Sequence, residues 1–290
     1  MRVETVAEQL FFVTAIVAGK AAGRPPWVGT GFVYSVETDK GAVHFFVTNK
    51  HVLEGASEVT LQFPRDRDGA PVLGDAVRAN LKPLDPSNWY EHPEPEIDVA
   101  VLPLSLVLNV LLAAGHRPFF KALPESKESY DAVVSTLDAL ERITFVGYPA
   151  GLFDRANLTP IMRQGTTATP IALDYNGLPA FLIDAAVFPG SSGSPVFLFD
   201  RGTIVDRAGN VTIGSRFYLL GVLAAMHTHP VEGEVTKAAH GLVARFDQSI
   251  GLGIVFKTSA ITACVDSALS KNGFTRVPIG AVPNSAPPPR

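Results

Sequence analysis

From residue 11 to 104 the chain alternates short β-rich runs with compact turn signals: Arg24-Pro25-Pro26, Asp39-Lys40-Gly41, Asp66-Arg67-Asp68-Gly69 and Asp85-Pro86-Ser87-Asn88. That rhythm argues for a barrel or sandwich rather than for helices or a parallel sheet. A second series of such runs occupies 143–146, 165–171, 181–187, 196–198, 217–226 and 253–256. The expected fold is therefore all-β, two packed antiparallel barrels over residues 1–104 and 143–258. Between them, 106–114 and 130–140 show helical spacing and little β-branching, which predicts a helical insertion within 105–142. Ile261, Cys264, Val265, Ala268 and Leu269 share one helical face, which predicts a C-terminal helix over 259–275. Pro278, Pro283, Pro287, Pro288 and Pro289 make 276–290 read as a flexible tail. With 290 residues, 47% of them hydrophobic, the chain has enough apolar surface for cores of this size.

One hexapeptide in the second series carries chemistry. Gly190-Ser191-Ser192-Gly193-Ser194-Pro195 describes a tight turn that presents a serine hydroxyl. Glycine at 190 allows its own N–H and that of Ser192 to converge on one point, where a developing oxyanion is held. A serine near neutral pH needs a neighbouring base, and the base needs a third group to fix its tautomer. The first series supplies both. His51 closes the apolar run 45–52, and Asp98 is embedded in Ile97-Asp98-Val99-Ala100-Val101-Leu102, where a carboxylate demands a partner. A histidine N–H is such a partner. Base and carboxylate fall in the first barrel and the nucleophile in the second, so the site is expected at their seam.

The order His51, Asp98, Ser192 is that of the chymotrypsin-type triad. The chain resembles the trypsin-like peptidases of the chymotrypsin fold, within them the bacterial HtrA-like branch that lacks disulfides. The resemblance rests on Gly29-Thr30-Gly31-Phe32-Val33, Thr48-Asn49-Lys50-His51-Val52, Asp98-Val99-Ala100-Val101-Leu102, the hexapeptide 190–195 and Gly251-Leu252-Gly253-Ile254-Val255-Phe256. It implies a serine endopeptidase that needs no cofactor, with His51, Asp98 and Ser192 catalytic and Gly190 and Ser192 forming the oxyanion hole. Family members secreted as zymogens carry an aspartate just before the nucleophile; this chain has Ser191 there, and no Arg/Lys-Ile-Val-Gly-Gly site. Control is accordingly expected from an activating partner protein or loop ordering. Six positions before the nucleophile, where trypsins carry the aspartate that selects Lys and Arg, stands Ala186. Gly221-Val222-Leu223-Ala224-Ala225-Met226 resembles the strand that lines the first substrate pocket. Ala186, Ala224, Ala225 and Met226 are thus the expected substrate-binding positions, suited to small or aliphatic residues. No PDZ-like segment is evident after residue 256.

Charge excludes other classes of partner. A net charge of −4 gives no polybasic footprint for nucleic acid or an anionic membrane, so the expected partner is a polypeptide substrate. The single cysteine, Cys264, forbids an intramolecular disulfide and reads as a buried core group, which fits a reducing, cytoplasmic compartment. The apolar run 10–18 is preceded by Glu4 and Glu8 where a signal peptide needs positive charge, so it reads as a first strand; secretion is the minority alternative. His227 and His229, in a Pro- and Gly-containing stretch read as a loop, define no metal geometry. Two further uses of the same cleft stay open: a catalytically silent peptide-binding module, and a latent effector protease acting on one partner protein.

Overall fold

The structure, a computed structural model, describes residues 2–205, 209–235 and 242–278, with backbone alone at Pro86, 225–235 and 242–250. A short helix α1 (Val6–Gln9), closed by a reciprocal pair of bonds between Thr5 and Glu8, leads into β1 (Thr14–Ala21), β2 (Arg24–Thr38) and β3 (Gly41–Thr48). One helical turn, α2 (Lys50–Leu53), precedes β4 (Glu58–Arg67), β5 (Ala70–Leu81), β6 (Tyr90–Glu91) and β7 (Ala100–Pro103). Neighbours in the order β5-β4-β1-β2-β3-β7-β6 pair antiparallel, and β8 (Leu123–Pro124) adds in parallel to β2. Along β4, Val59, Leu61 and Phe63 are buried while Thr60 and Gln62 are half-buried, the alternation of a strand with one face inward. Val77 and Ala79 from β5 share one core with Ala100 and Leu102 from β7. The sheet therefore wraps on itself as a barrel.

The second half is a closed barrel, β10-β11-β14-β13-β12-β9. Its strands are β9 (Arg142–Gly147), β10 (Ile161–Thr167), β11 (Ala180–Asp184), β12 (Pro195–Val205), β13 (Val211–Val235) and β14 (Leu242–Lys257). Ile143, Phe145, Phe181, Ile183, Val196, Leu198 and Val255 fill it. The all-β, chymotrypsin-like two-barrel architecture read from the sequence is what the chain adopts. Helices α3 (Leu104–Ala113) and α4 (Tyr130–Ser135) lie between the barrels in sequence. The second is shorter than its spacing predicts, because beyond Ser135 the chain turns Leu137 into the core and leaves Leu140 in solvent.

A third core forms the seam. Helix α5 (Thr258–Lys271) presents Ala260, Ile261, Cys264, Val265, Ala268 and Leu269 as one apolar stripe. That stripe packs with Val47, Val99 and Val101 of the first barrel and Val146, Phe197 and Val222 of the second. Burial pushes the Cys264 thiol up to about 12, so it stays protonated and unreactive, its Sγ 3.5 Å from the Val99 carbonyl oxygen.

Three local expectations are revised. The first hairpin turns at Ala22-Gly23 rather than at Pro25-Pro26, and those prolines open β2 beside a shift in its register with β1, where a missing N–H breaks no ladder bond. Residues 227–235, read as a loop, continue β13 and pair with β14 from Thr228 opposite Ser249 to Val235 opposite Leu242. Arg276 and Val277, the first residues of the expected tail, are held in place. Arg276 pairs with Glu125 and Asp266, and the Val277 N–H donates to the Glu37 carbonyl at 3.0 Å. The rest of that stretch, from 279 onward, lies outside the described residues.

Candidate active site

β3 ends at Thr48, and the turn α2 that follows is anchored by the buried side chains of Val52 and Leu53. The Trp27 indole N–H donates to the Val52 carbonyl at 2.9 Å, so the turn is pinned to β2. His51 stands on this turn with 46% of its side chain exposed. Asp98 lies between the buried Ile97 and Val99, in the segment that enters β7. Its carboxylate grips His51 at two points: Oδ2 lies 2.5 Å from the ring Nδ1, and Oδ1 accepts the His51 backbone N–H at 3.1 Å. With Nδ1 turned to a carboxylate, the free lone pair of a neutral ring sits on Nε2. The Asn49 side-chain amide donates to the Asp98 carbonyl at 2.6 Å and fixes the backbone behind that carboxylate.

The segment before Asp98 is less exposed than its Pro- and acid-rich composition suggests. Trp89 and His92 are buried, and the Lys50 ammonium donates to the Glu94 carbonyl at 2.8 Å. Burial holds His92 below the usual histidine range, so its Nδ1 remains free to accept the Glu94 N–H at 3.1 Å.

Ser192 is half-buried in the turn between β11 and β12. Every carbonyl from 189 to 192 is held. Pro189 O accepts from the Ala150 N–H at 2.5 Å, Gly190 O from the Thr30 hydroxyl at 2.8 Å, Ser191 O from the Ser194 N–H at 3.0 Å and Ser192 O from the Thr30 N–H at 2.8 Å. Among the N–H groups, Ser191 donates to Phe188 O and Gly193 to Leu223 O. Those of Gly190 and Ser192 have no acceptor among the described residues. In a trans peptide the N–H points opposite to its C=O, so pinning Pro189 O and Ser191 O inward directs these two N–H groups outward. Gly190 and Gly193 both adopt φ +88°, a conformation side chains disfavour.

The Ser192 hydroxyl itself donates to the Ala224 carbonyl at 2.9 Å. A register shift between Leu223 and Ala225 leaves Ala224 out of the ladder with β14, so its carbonyl is available to receive that proton. No hydrogen bond joins Ser192 to His51. The structure thus brings His51 and Asp98 together and directs the serine hydroxyl to Ala224 rather than to His51.

Of the expected pocket positions, Ala186 is exposed and Ala224 is buried. Ala225 and Met226 pair through their backbones with Ile254 and Gly253, and their side chains lie outside the described residues. No group of three or more metal-ligating side chains occurs among the described residues. Thr30, Asn49 and Ala150 touch this machinery without a role in the sequence reading. Only Ala150 carries a local peculiarity, a positive φ of 51° that composition does not reveal.

Two barrels with a histidine–carboxylate pair on one and a glycine-flanked serine turn on the other define a chymotrypsin-fold serine peptidase. The profile of the trypsin-like peptidase domain matches residues 29–205, and the chain belongs to that family. No curated protein sequence matches it. Among solved structures it is similar to a thermostable serine protease, AL20, from an extremophilic microorganism, with 14% identity, a TM-score of 0.46, and 90% of this chain and 98% of that one covered. It is also similar to the active form of the Rv3671c protease of M. tuberculosis, with 19% identity, a TM-score of 0.45, and coverage of 95% and 87%.

Proposed function

We propose that the chain is a serine endopeptidase in which Ser192 attacks, His51 carries the proton, Asp98 orients His51, and the N–H groups of Gly190 and Ser192 receive the oxyanion. The observation that carries this reading is the two-point grip of Asp98 on His51, which leaves Nε2 as the basic nitrogen. Ser192 leaves the Ala224 carbonyl, gives its proton to Nε2 and forms a bond to the scissile carbonyl carbon. The carbonyl oxygen becomes an oxyanion between the two N–H groups, each worth about 10²–10³ in rate. His51 then protonates the leaving amine, and water repeats the sequence on the acyl ester.

A fluorophosphonate probe tests this directly. Labelling is expected on Ser192 and is lost in Ser192→Ala; an unlabelled wild type overturns the reading. The bond from Ser192 to Ala224 favours a second, compatible reading in which the resting chain is latent and a partner protein releases the hydroxyl. Slow labelling that a partner accelerates is its signature.

Ala186 at the trypsin pocket position, with Ala224 beside the serine, fits cleavage after small or aliphatic residues. Asp184 is exposed on β11, two residues or about 7 Å along an extended strand, and supplies no pocket floor. Cleavage of a peptide library should therefore disfavour Lys and Arg before the cut, and their dominance would reject this assignment. A lone buried thiol suits a reducing bacterial cytoplasm. No helix among the described residues is long and apolar enough to cross a membrane.

A further inference from the structure

We infer that Thr30 is a positioning residue whose hydroxyl, reaching from the first barrel to the second, holds the oxyanion turn in its working orientation. The inference rests on the reading of Gly190 and Ser192 as oxyanion donors.

Thr30 is fully buried on β2, and all its polar atoms are engaged. Its Oγ1 donates to Gly190 O at 2.8 Å and accepts the Tyr148 N–H at 3.1 Å. Its N–H donates to Ser192 O at 2.8 Å, and its carbonyl accepts the Thr48 hydroxyl at 2.7 Å. One residue of the first barrel thereby bonds the two peptides that flank the Ser191–Ser192 peptide, the chain at Tyr148 just past the end of β9, and the strand that leads to His51. Because the Tyr148 N–H occupies an Oγ1 lone pair, the hydroxyl proton is directed to Gly190.

Gly190 is where such a clamp matters. Without a Cβ it can exchange a positive φ for a negative one at little cost, and such an exchange turns its N–H away from the cleft. Within the turn, the Ser191 N–H bonded to Phe188 O holds only the peptide that follows Gly190, not the one that carries its N–H. The restraint comes from outside, from the Ala150 N–H on Pro189 O and the Thr30 hydroxyl on Gly190 O. Gly147 permits the arrangement: a Cβ there would lie 2.8 Å from Thr30 Oγ1 and 2.1 Å from Ser194 Oγ. Loss of the Thr30 hydroxyl leaves Gly190 O and the Tyr148 N–H buried without partners, and both regain them only if the turn rearranges.

Saturation kinetics of fluorophosphonate labelling separate this role from a purely structural one, since kinact reports the step that needs the oxyanion donors and KI reports binding. Thr30→Val is expected to lower kinact about tenfold to a hundredfold, the range for small misplacement of a catalytic group, with KI unchanged. Thr30→Ser keeps the hydroxyl and should restore the rate to within about threefold of wild type. Thr144→Val, at a buried threonine of β9 whose hydroxyl has no partner, is the control for altering a buried threonine and should label like wild type. Equal kinact in Thr30→Val and wild type overturns the inference, as does a Thr30→Ser variant as slow as Thr30→Val. If Thr30→Val gives no cooperative melt, Thr30→Ala against Thr30→Ser makes the same comparison. A wild type that labels while Thr30→Val is unimpaired removes only the role of Thr30, whereas a wild type that never labels removes the peptidase reading and this inference with it.

Discussion

Asp98→Asn should lower the rate of fluorophosphonate labelling, and of turnover on any peptide the enzyme cuts, by about 10⁴-fold, the size found for the same exchange in a well-studied Ser-His-Asp enzyme. The geometry explains why so small a change costs so much. Both carboxylate oxygens act as acceptors, Oδ2 from the His51 ring Nδ1 and Oδ1 from the His51 backbone N–H. An asparagine has one acceptor and one NH₂ group. If the NH₂ faces Nδ1, the ring must accept there and carry its proton on Nε2, where it can no longer receive one from Ser192. If the NH₂ faces the backbone N–H instead, two donors oppose each other at 3.1 Å and the turn α2 shifts. Asp98 has 27% of its side chain exposed, so neither arrangement threatens the fold. The variant should melt within a few degrees of wild type. Activity within tenfold of wild type would show that Asp98 does not set the state of His51.

How far the residues themselves announce this site depends on the range over which the relevant contacts act. His51, Asp98 and Ser192, the residues of the proposed site, stand out because each breaks its local pattern: a histidine at a strand end, a carboxylate in an aliphatic run, a serine between glycines. The barrels are legible because alternation and turn chemistry are local properties. α5 is legible for the same reason, its stripe repeating at helical spacing. Thr30 is not, since its hydroxyl meets a carbonyl 160 positions away and no spacing rule reaches that far. The same holds for Ala150, left-handed at φ 51°, whose N–H meets the carbonyl of the distant Pro189. The extension of β13 past Met226 escaped for a different reason. Pro230 and Gly233 are turn formers by propensity, yet the register carries them along a two-stranded ribbon opposite β14. The direction of the Ser192 hydroxyl is set by a bulge at Ala224, which an apolar run of small residues does not reveal.

Gly193→Ala should be among the most damaging single-methyl changes at the described glycines, destabilising the protein by more than about 3 kcal/mol and removing labelling of Ser192. A Cβ at this position would lie 1.8 Å from the Thr30 carbonyl oxygen and 2.7 Å from Thr48 Oγ1, and the backbone sits at φ +88°. Neither obstacle can withdraw. The Thr30 carbonyl is bonded to the Thr48 hydroxyl, the Thr30 N–H to Ser192 O, and the Gly193 N–H itself to Leu223 O at 2.7 Å. Room for the methyl group therefore requires β2 to part from the serine turn, which separates the two barrels where the site is assembled. Gly177 isolates the backbone component of this cost: its φ is +78°, but nothing lies within 4 Å of an added Cβ. Gly177→Ala should cost about 1–2 kcal/mol, the strain of a left-handed non-glycine residue alone, and label at the wild-type rate. The difference between their urea midpoints, at equal m-value, measures the contact between Gly193 and Thr30. Equal midpoints would mean that the barrels yield at this point, and that the close approach of β2 to the nucleophile turn is not what holds Ser192 in place.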